Sequence, residues 1–230
     1  SGPIAAPSAT AVTSGSATVS SVSSAAPAAA PSDPAAMALA KRTDAFYVPR
    51  KSLSARFKQE FYIRSSGTKK TSSGTMYFVR PGKMSWRYDA PNGNRVVSDG
   101  AMVRVYDADA QQYTEQPIGN SEYPGALGFL TGDGIGSQFS FAFHEKVTFP
   151  GGKVLVGTPL QPNPWYRSVL FYIDEATAHI RRVVIIDAQG NRNRFDFETL
   201  SEGEIPASEF AWSPPAGATR VARQIPRFAV

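Results

Sequence analysis

Gly74-Thr-Met-Tyr-Phe-Val-Arg80-Pro81-Gly-Lys-Met-Ser-Trp86-Arg-Tyr88 is the stretch on which the fold reading turns. Thr75 to Arg80 is an extended apolar run stopped by Pro81-Gly82, and Met84, Trp86 and Tyr88 then alternate against Lys83, Ser85 and Arg87. An apolar residue at every second position marks a strand, and Pro-Gly marks the turn between two of them. The same rhythm continues in both directions. Upstream, Phe57, Phe61 and Ile63 lead into Ser65-Ser66-Gly67. Downstream, Ala90-Pro91-Asn92-Gly93 precedes Arg95 to Ser98, and Asp99-Gly100 links that run to Met102 to Tyr106 as a tight hairpin whose central positions favour positive φ. Gln112 to Pro117, the strand-like Phe139 to Phe143, Lys153 to Thr158, Ser168 to Asp174, Ile180 to Asp187 and Arg192 to Leu200 complete the set. The spacing predicts a mainly β protein of successive antiparallel strands.

Ahead of the strands, residues 1–33 are almost wholly Ala, Ser, Pro, Thr, Gly and Val, with Asp33 the one charge. Such a segment cannot bury enough apolar surface to offset its ordering entropy, so it is expected to be a disordered tail on a single domain spanning 34–230. Pro34 to Tyr47 is rich in helix formers, with Asp33 placed to cap it and Pro49 to end it. Its expected apolar stripe is Met37, Ala40 or Lys41, and Asp44 to Phe46.

Composition narrows the function. There is no cysteine, so disulfides, thiolate metal sites and thiol nucleophiles are excluded. The 24 Lys and Arg against 19 Asp and Glu are scattered rather than gathered into a stripe, which argues against nucleic acid as a partner. No run reaches the length of a membrane span, and the first residues lack the basic and apolar regions of a signal peptide, so an exported protein is expected here in processed form.

Catalysis finds no constellation. His144 and His179 have no partner at metal-ligand or nucleophile spacing, and Asp99, Asp107 and Asp109 sit where hairpin turns use aspartate for backbone bonds. Gly132-Asp-Gly134-Ile-Gly136 lacks the Lys and Ser of a phosphate loop and reads as a flexible loop. No cofactor or metal is expected.

Several strands are apolar on both faces: Met76 to Val79, Val169 to Ile173 and Val183 to Ile186. A sheet with one wet face would alternate cleanly, so each side needs a cover. A second sheet, a partner subunit, a closed barrel core or an apolar ligand would each supply it. Residues 121–138, with Gly125, Gly128, Gly132, Gly134 and Gly136, interrupt the meander around the apolar island Ala126 to Leu130. A greasy, glycine-flanked interruption of this kind reads as one or two turns of helix acting as a lid.

The Gly74 to Tyr88 stretch, followed by Val97-Ser98-Asp99-Gly100 and Val105-Tyr106-Asp107, resembles the outer-membrane lipoprotein carrier family, LolA. The resemblance runs over about 50 to 217, from Phe57-Lys58-Gln59 to the closing Phe210-Ala-Trp212-Ser-Pro214-Pro215-Ala-Gly217. It implies an incomplete antiparallel β-barrel with an N-terminal helix and a short helical lid over an apolar cavity. It also implies a monomeric periplasmic carrier of lipoprotein acyl chains, loaded by an inner-membrane ABC exporter and unloaded at an outer-membrane receptor. The runner-up is a lipid carrier or acyl-chain sensor on the same half-barrel.

By the same resemblance Arg80 is the lid latch, its guanidinium reaching lid carbonyls. Phe61, Tyr77, Val79, Met84, Trp86 and Tyr88 are the expected cavity lining, and Leu127, Phe129 and Leu130 the lid contacts. Met84 stands where the family often has an aromatic, which would loosen that wall. Gly128 lowers helix propensity by roughly 1 kcal/mol relative to Ala, so the lid is expected to open easily.

Overall fold

The computed structural model describes residues 31–118, 127 and 134–222. In chain order these form α1 (Pro34–Tyr47), β1 (Ser52–Ile63), β2 (Thr68–Val79), β3 (Lys83–Tyr88), β4 (Arg95–Asp99), β5 (Met102–Asp107), β6 (Gln112–Pro117), β7 (Phe139–Phe143), β8 (Gly152–Pro159), β9 (Ser168–Asp174), β10 (Ile180–Ile186), β11 (Arg192–Ser201), a 3-10 turn (Ala207–Phe210) and β12 (Thr219–Arg220). All the described strands belong to one open sheet, ordered β12-β6-β5-β4-β3-β2-β1-β11-β10-β9-β8-β7. Neighbours are antiparallel except β12, which lies parallel to β6.

The helix begins and ends where the residues predict. The Asp33 carboxylate accepts from the amides of Ala35 and Ala36 at 2.7 and 3.0 Å, and Pro34 needs no partner in the first turn. Its buried stripe is not the expected one: Ala36, Leu39, Ala40, Thr43 and Tyr47 face the sheet. Ala36 and Ala40, both fully buried, let the helix lie close to the strands, while Asp44 turns aside to a loop.

Strand alternation gives the sheet two distinct faces. On the inner face Phe57, Met76, Phe78, Met84, Trp86 and Phe195 share one buried cluster with Leu39, Ala40 and Tyr47 of α1. Phe57 is the centre of an aromatic group, with ring centroids 4.9 Å from Trp86 and 5.1 Å from Tyr88. Gly74 lies beneath it. A Cβ there would stand 2.2 Å from the Arg87 carbonyl and 2.6 Å from the Phe57 ring, so only glycine fits.

The outer face is covered in part by the chain's own C-terminal segment. Phe210 is buried there beside β3 and β4, Glu209 pairs with Arg87 at 2.9 Å, and Trp212 packs 5.0 Å from Tyr113. The chain then adds β12 to β6. At the opposite edge, Asp33 donates its amide to the Phe141 carbonyl at 2.8 Å and the Phe141 amide reaches Ser32 Oγ at 3.0 Å.

Candidate functional site

The inner face under α1 is the apolar site, and the strand register decides which residues belong to it. Met76 opposes Trp86, Phe78 opposes Met84 and Gly74 opposes Tyr88, so Met84, Trp86 and Tyr88 point inward and are all buried. Phe61 shares this parity near the far end of β1, where it is half-buried. Tyr77 and Val79 do not share it. They oppose Ser85 and Lys83 on the outer face, because each neighbours an inward residue and side chains alternate. The inner positions of that run are Met76 and Phe78.

The site is dry. Burial pushes the Tyr88 phenol well above its ordinary range. Tyr47 rises to about 12, again chiefly through burial, although the bond from the Ile180 amide at 3.1 Å partly offsets this. The inner polar groups that remain are few: Gln59 Nε2 donates to Asn193 Oδ1 at 2.8 Å, both residues being buried. By contrast, a groove of about 530 Å³ beside β2 is lined by Lys58, Glu60, Asp89, Asp109 and Arg194, the wrong chemistry for an alkyl chain.

Arg80 binds the helix. Its guanidinium donates to the carbonyls of Val48 and, at 2.8 Å, of Tyr47, just where α1 leaves carbonyls without helical partners. Arg50 does the same for Phe46 O while lying over the Phe46 ring, and its Nε pairs with Glu202 at 2.6 Å. Two cations thus hold the C-terminal end of the helix to the sheet. Of the expected lid residues, Leu127 is buried in the main cluster, while Phe129 and Leu130, with Gly128, lie outside the described residues.

A contact missed in the sequence ties the helix to the end of the glycine-rich segment. Asp44 Oδ1 accepts from the Ile135 amide at 2.6 Å and Oδ2 from the Gly136 amide at 2.8 Å. Gly134 adopts φ +70°, which turns successive amides toward one anion, and a Cβ on Gly134 or Gly136 would lie within 3 Å of the carboxylate. The alternating glycines of 134 to 136 were its only sequence signal.

The residues considered for catalysis have local tasks. His144 Nδ1 accepts from the amides of Lys146 and Val147, and the His179 ring packs 4.0 Å from that of Phe46. Burial first, then the Arg181 and Arg50 cations, lower the His179 pKa. Asp99 accepts from the amides of Ala101 and Met102, and Asp107 from that of Ala110.

Residues 50–213 match the family model described as outer membrane lipoprotein carrier protein LolA. The chain belongs to the LolA family. Among its relatives is the outer-membrane lipoprotein carrier protein of Bordetella pertussis, 34% identical over 182 residues that cover 77% of this chain and 83% of the relative. The corresponding protein of Methylibium petroleiphilum is 29% identical over 74% of this chain and 82% of its own. A Thermus thermophilus protein of solved structure, described as an uncharacterized conserved protein, shares the fold with a TM-score of 0.52 at 14% identity, over 82% of this chain and 99% of that one. As a LolA-family member the protein is a lipoprotein carrier, and its open sheet with an N-terminal helix is the half-barrel that the motifs implied.

Proposed function

We propose that the inner face of the sheet receives the acyl chains of lipoproteins in the periplasm, and that displacement of α1 and the lid admits them. The observation that carries this reading is the continuous aromatic and aliphatic surface around Phe57, Trp86 and Phe195, which lies under one helix. Each acyl methylene moved from water onto such a surface contributes about 0.8 kcal/mol, so one long chain contributes on the order of 10 kcal/mol before the cost of opening. That is enough to compete with the contacts that hold the helix down.

In this reading Arg80 is a latch whose loss changes the balance between empty and loaded carrier. Its described acceptors are helix carbonyls, and the lid carbonyls are the further acceptors inferred for it. Met84, Trp86, Tyr88 and Phe61 line the acyl site, Leu127, Phe129 and Leu130 close it, and Tyr77 and Val79 take no part. The loading partner is an inner-membrane ABC exporter and the unloading partner an outer-membrane receptor. The protein acts as a monomer that changes no covalent bond.

The test is release of acylated lipoprotein from inner-membrane vesicles by the purified protein. Wild-type protein should appear in the supernatant bound to lipoprotein, in amounts lowered several-fold by Arg80→Leu and by Leu130→Asp. A protein that binds free fatty acid but releases no lipoprotein would overturn the reading in favour of a general lipid carrier or acyl-chain sensor.

A further inference from the structure

The outer face carries a feature that the acyl site does not use. Lys69 opposes Tyr62, Tyr62 opposes Arg192, Arg192 opposes Ile186 and Ile186 opposes Ser168, so these residues form one row at the same end of five neighbouring strands. Arg167 is fixed to the end of that row by its amide, which donates to Ile186 O at 2.9 Å. Arg64 flanks it at the β1-β2 hairpin, where its amide donates to Asn191 Oδ1 at 3.0 Å. The side chains of Arg64, Lys69, Arg167 and Arg192 are all exposed.

Acidic groups balance this rim only in part. Asp187 is occupied by the Asn191 amide at 2.9 Å and by Asn191 Nδ2 at 2.7 Å. Glu60 stands one row back, 3.8 Å from Lys69 and shared with Arg194 at 3.7 Å. Asp89, Asp107 and Asp109 belong to the turns of the β3-β6 half. On this half of the sheet Arg64, Lys69, Arg167 and Arg192 stand against Glu60 and Asp187, which leaves the rim net positive.

The outer face beside the rim is apolar. In the next row Val184 opposes Leu170 and Leu170 opposes Val156, with Ile186 between them and the cations. Leu170, Val156 and Ile186 are half-exposed, and no described segment plays for them the part that Phe210 and Trp212 play on β3 to β6. Just past β8, Leu160 is 47% exposed, one of two large apolar side chains so exposed among the described residues.

We infer that this rim and the adjoining outer face of β8 to β10 form a docking surface for an anionic phospholipid bilayer. Apolar side chains next to a line of cations at one end of a sheet can meet a flat surface together: the cations stay among the headgroups while the aliphatic residues enter the interface. The tyrosine under Arg192, 5.8 Å from the guanidinium, suits the same boundary. This surface is opposite in facing to the acyl site, and the inference does not rest on the carrier reading.

The test uses the full chain and lipoprotein-free vesicles. It should co-sediment with phosphatidylcholine vesicles containing about 30% phosphatidylglycerol, and not with phosphatidylcholine alone. Binding should be lost near 1 M salt, where screening acts within about 3 Å. Arg192→Gln and Lys69→Gln should each lower partitioning about fivefold, the change expected for one cation at an anionic surface. Leu160→Asp should lower it further, and Lys51→Gln at the other end of the sheet should leave it unchanged. Equal binding to both vesicles, insensitivity to the rim variants, or no sedimentation overturns the inference. So does a dimer in sedimentation velocity that Ile186→Asp dissolves, which would give the apolar face to a second copy. Because no lipoprotein is present, failure here leaves the carrier reading untouched.

Discussion

Replacing Asp44 by alanine should loosen the seam between α1 and the glycine-rich segment by a calculable amount. The carboxylate accepts two backbone amides, at 2.6 Å from Ile135 and 2.8 Å from Gly136. Hydrogen bonds to a charged group are worth about 1.5 to 3 kcal/mol each, and the half-buried setting lets water recover part of that once the carboxylate is gone. Alanine returns about 0.5 kcal/mol through its better helix propensity. The net loss is about 2 to 4 kcal/mol, or a fall in Tm of roughly 5 to 15 °C for a domain of this size. Urea unfolding followed by circular dichroism measures the loss, and amide exchange at Ile135 and Gly136 locates it. Asp44→Asn keeps one acceptor oxygen and should fall between wild type and Asp44→Ala. If Asp44→Ala unfolds within about 0.5 kcal/mol of wild type with both amides still protected, the carboxylate is not what secures this segment.

Three further outcomes follow from contacts elsewhere. Gly74→Ala should cost about 3 kcal/mol in urea unfolding, the upper range of overpacking, because the added Cβ meets a backbone carbonyl that cannot turn away; a neutral effect would mean that Phe57 has room to move. Asp99 is held at about 2, below its ordinary 3.8, first by the hydrogen bond from Arg104 and then by the Met102 amide. Its contribution is present above pH 3.8 and lost as pH falls toward about 2, so Asp99→Asn should be less stable than wild type near neutrality and the difference should vanish across that window. Burial raises the Tyr88 phenol from 10.0, so the neutral phenol supports the fold fully below pH 10.0 and that support declines as the unfolded chain ionises above it. Tyr88→Phe should therefore show a shallower fall in unfolding midpoint above pH 10.0, and an unchanged slope would place the phenol in contact with water.

Much of the architecture was legible because turn chemistry and strand period agree. Pro81-Gly82, Asp99-Gly100 and Ala90-Pro91-Asn92-Gly93 separate runs that became neighbouring strands, and Asp33-Pro34 fixed the start of the helix. The face assignment of Met76 to Val79 was not legible, since all four residues are apolar and period two cannot choose between them. Only the opposition of Met76 to Trp86 in the folded sheet does so, moving Tyr77 and Val79 outward. The Asp44 contact joins residues 91 and 92 positions apart, and neither end has a local need that would announce it. Arg80 stood out through its motif, yet its bonds to Tyr47 and Val48 depend on where the helix ends in space. The two residues of β12 are too few to show a period.

The attachment of Ser32-Asp33 and Thr219-Arg220 to the margins of the sheet bears on how this protein behaves at high concentration. An open sheet offers unpaired amides and carbonyls along its margins, a template on which another chain can add strand by strand. Here Ser32 and Asp33 occupy the margin at β7, and Thr219 and Arg220 occupy the one at β6. The described open sheet is thereby met at both margins by its own chain, through two residues on each side. Proteolytic removal of the segment around Thr219-Arg220 would leave the buried cluster intact yet expose more of β6, so carrier nicked there should self-associate before it unfolds.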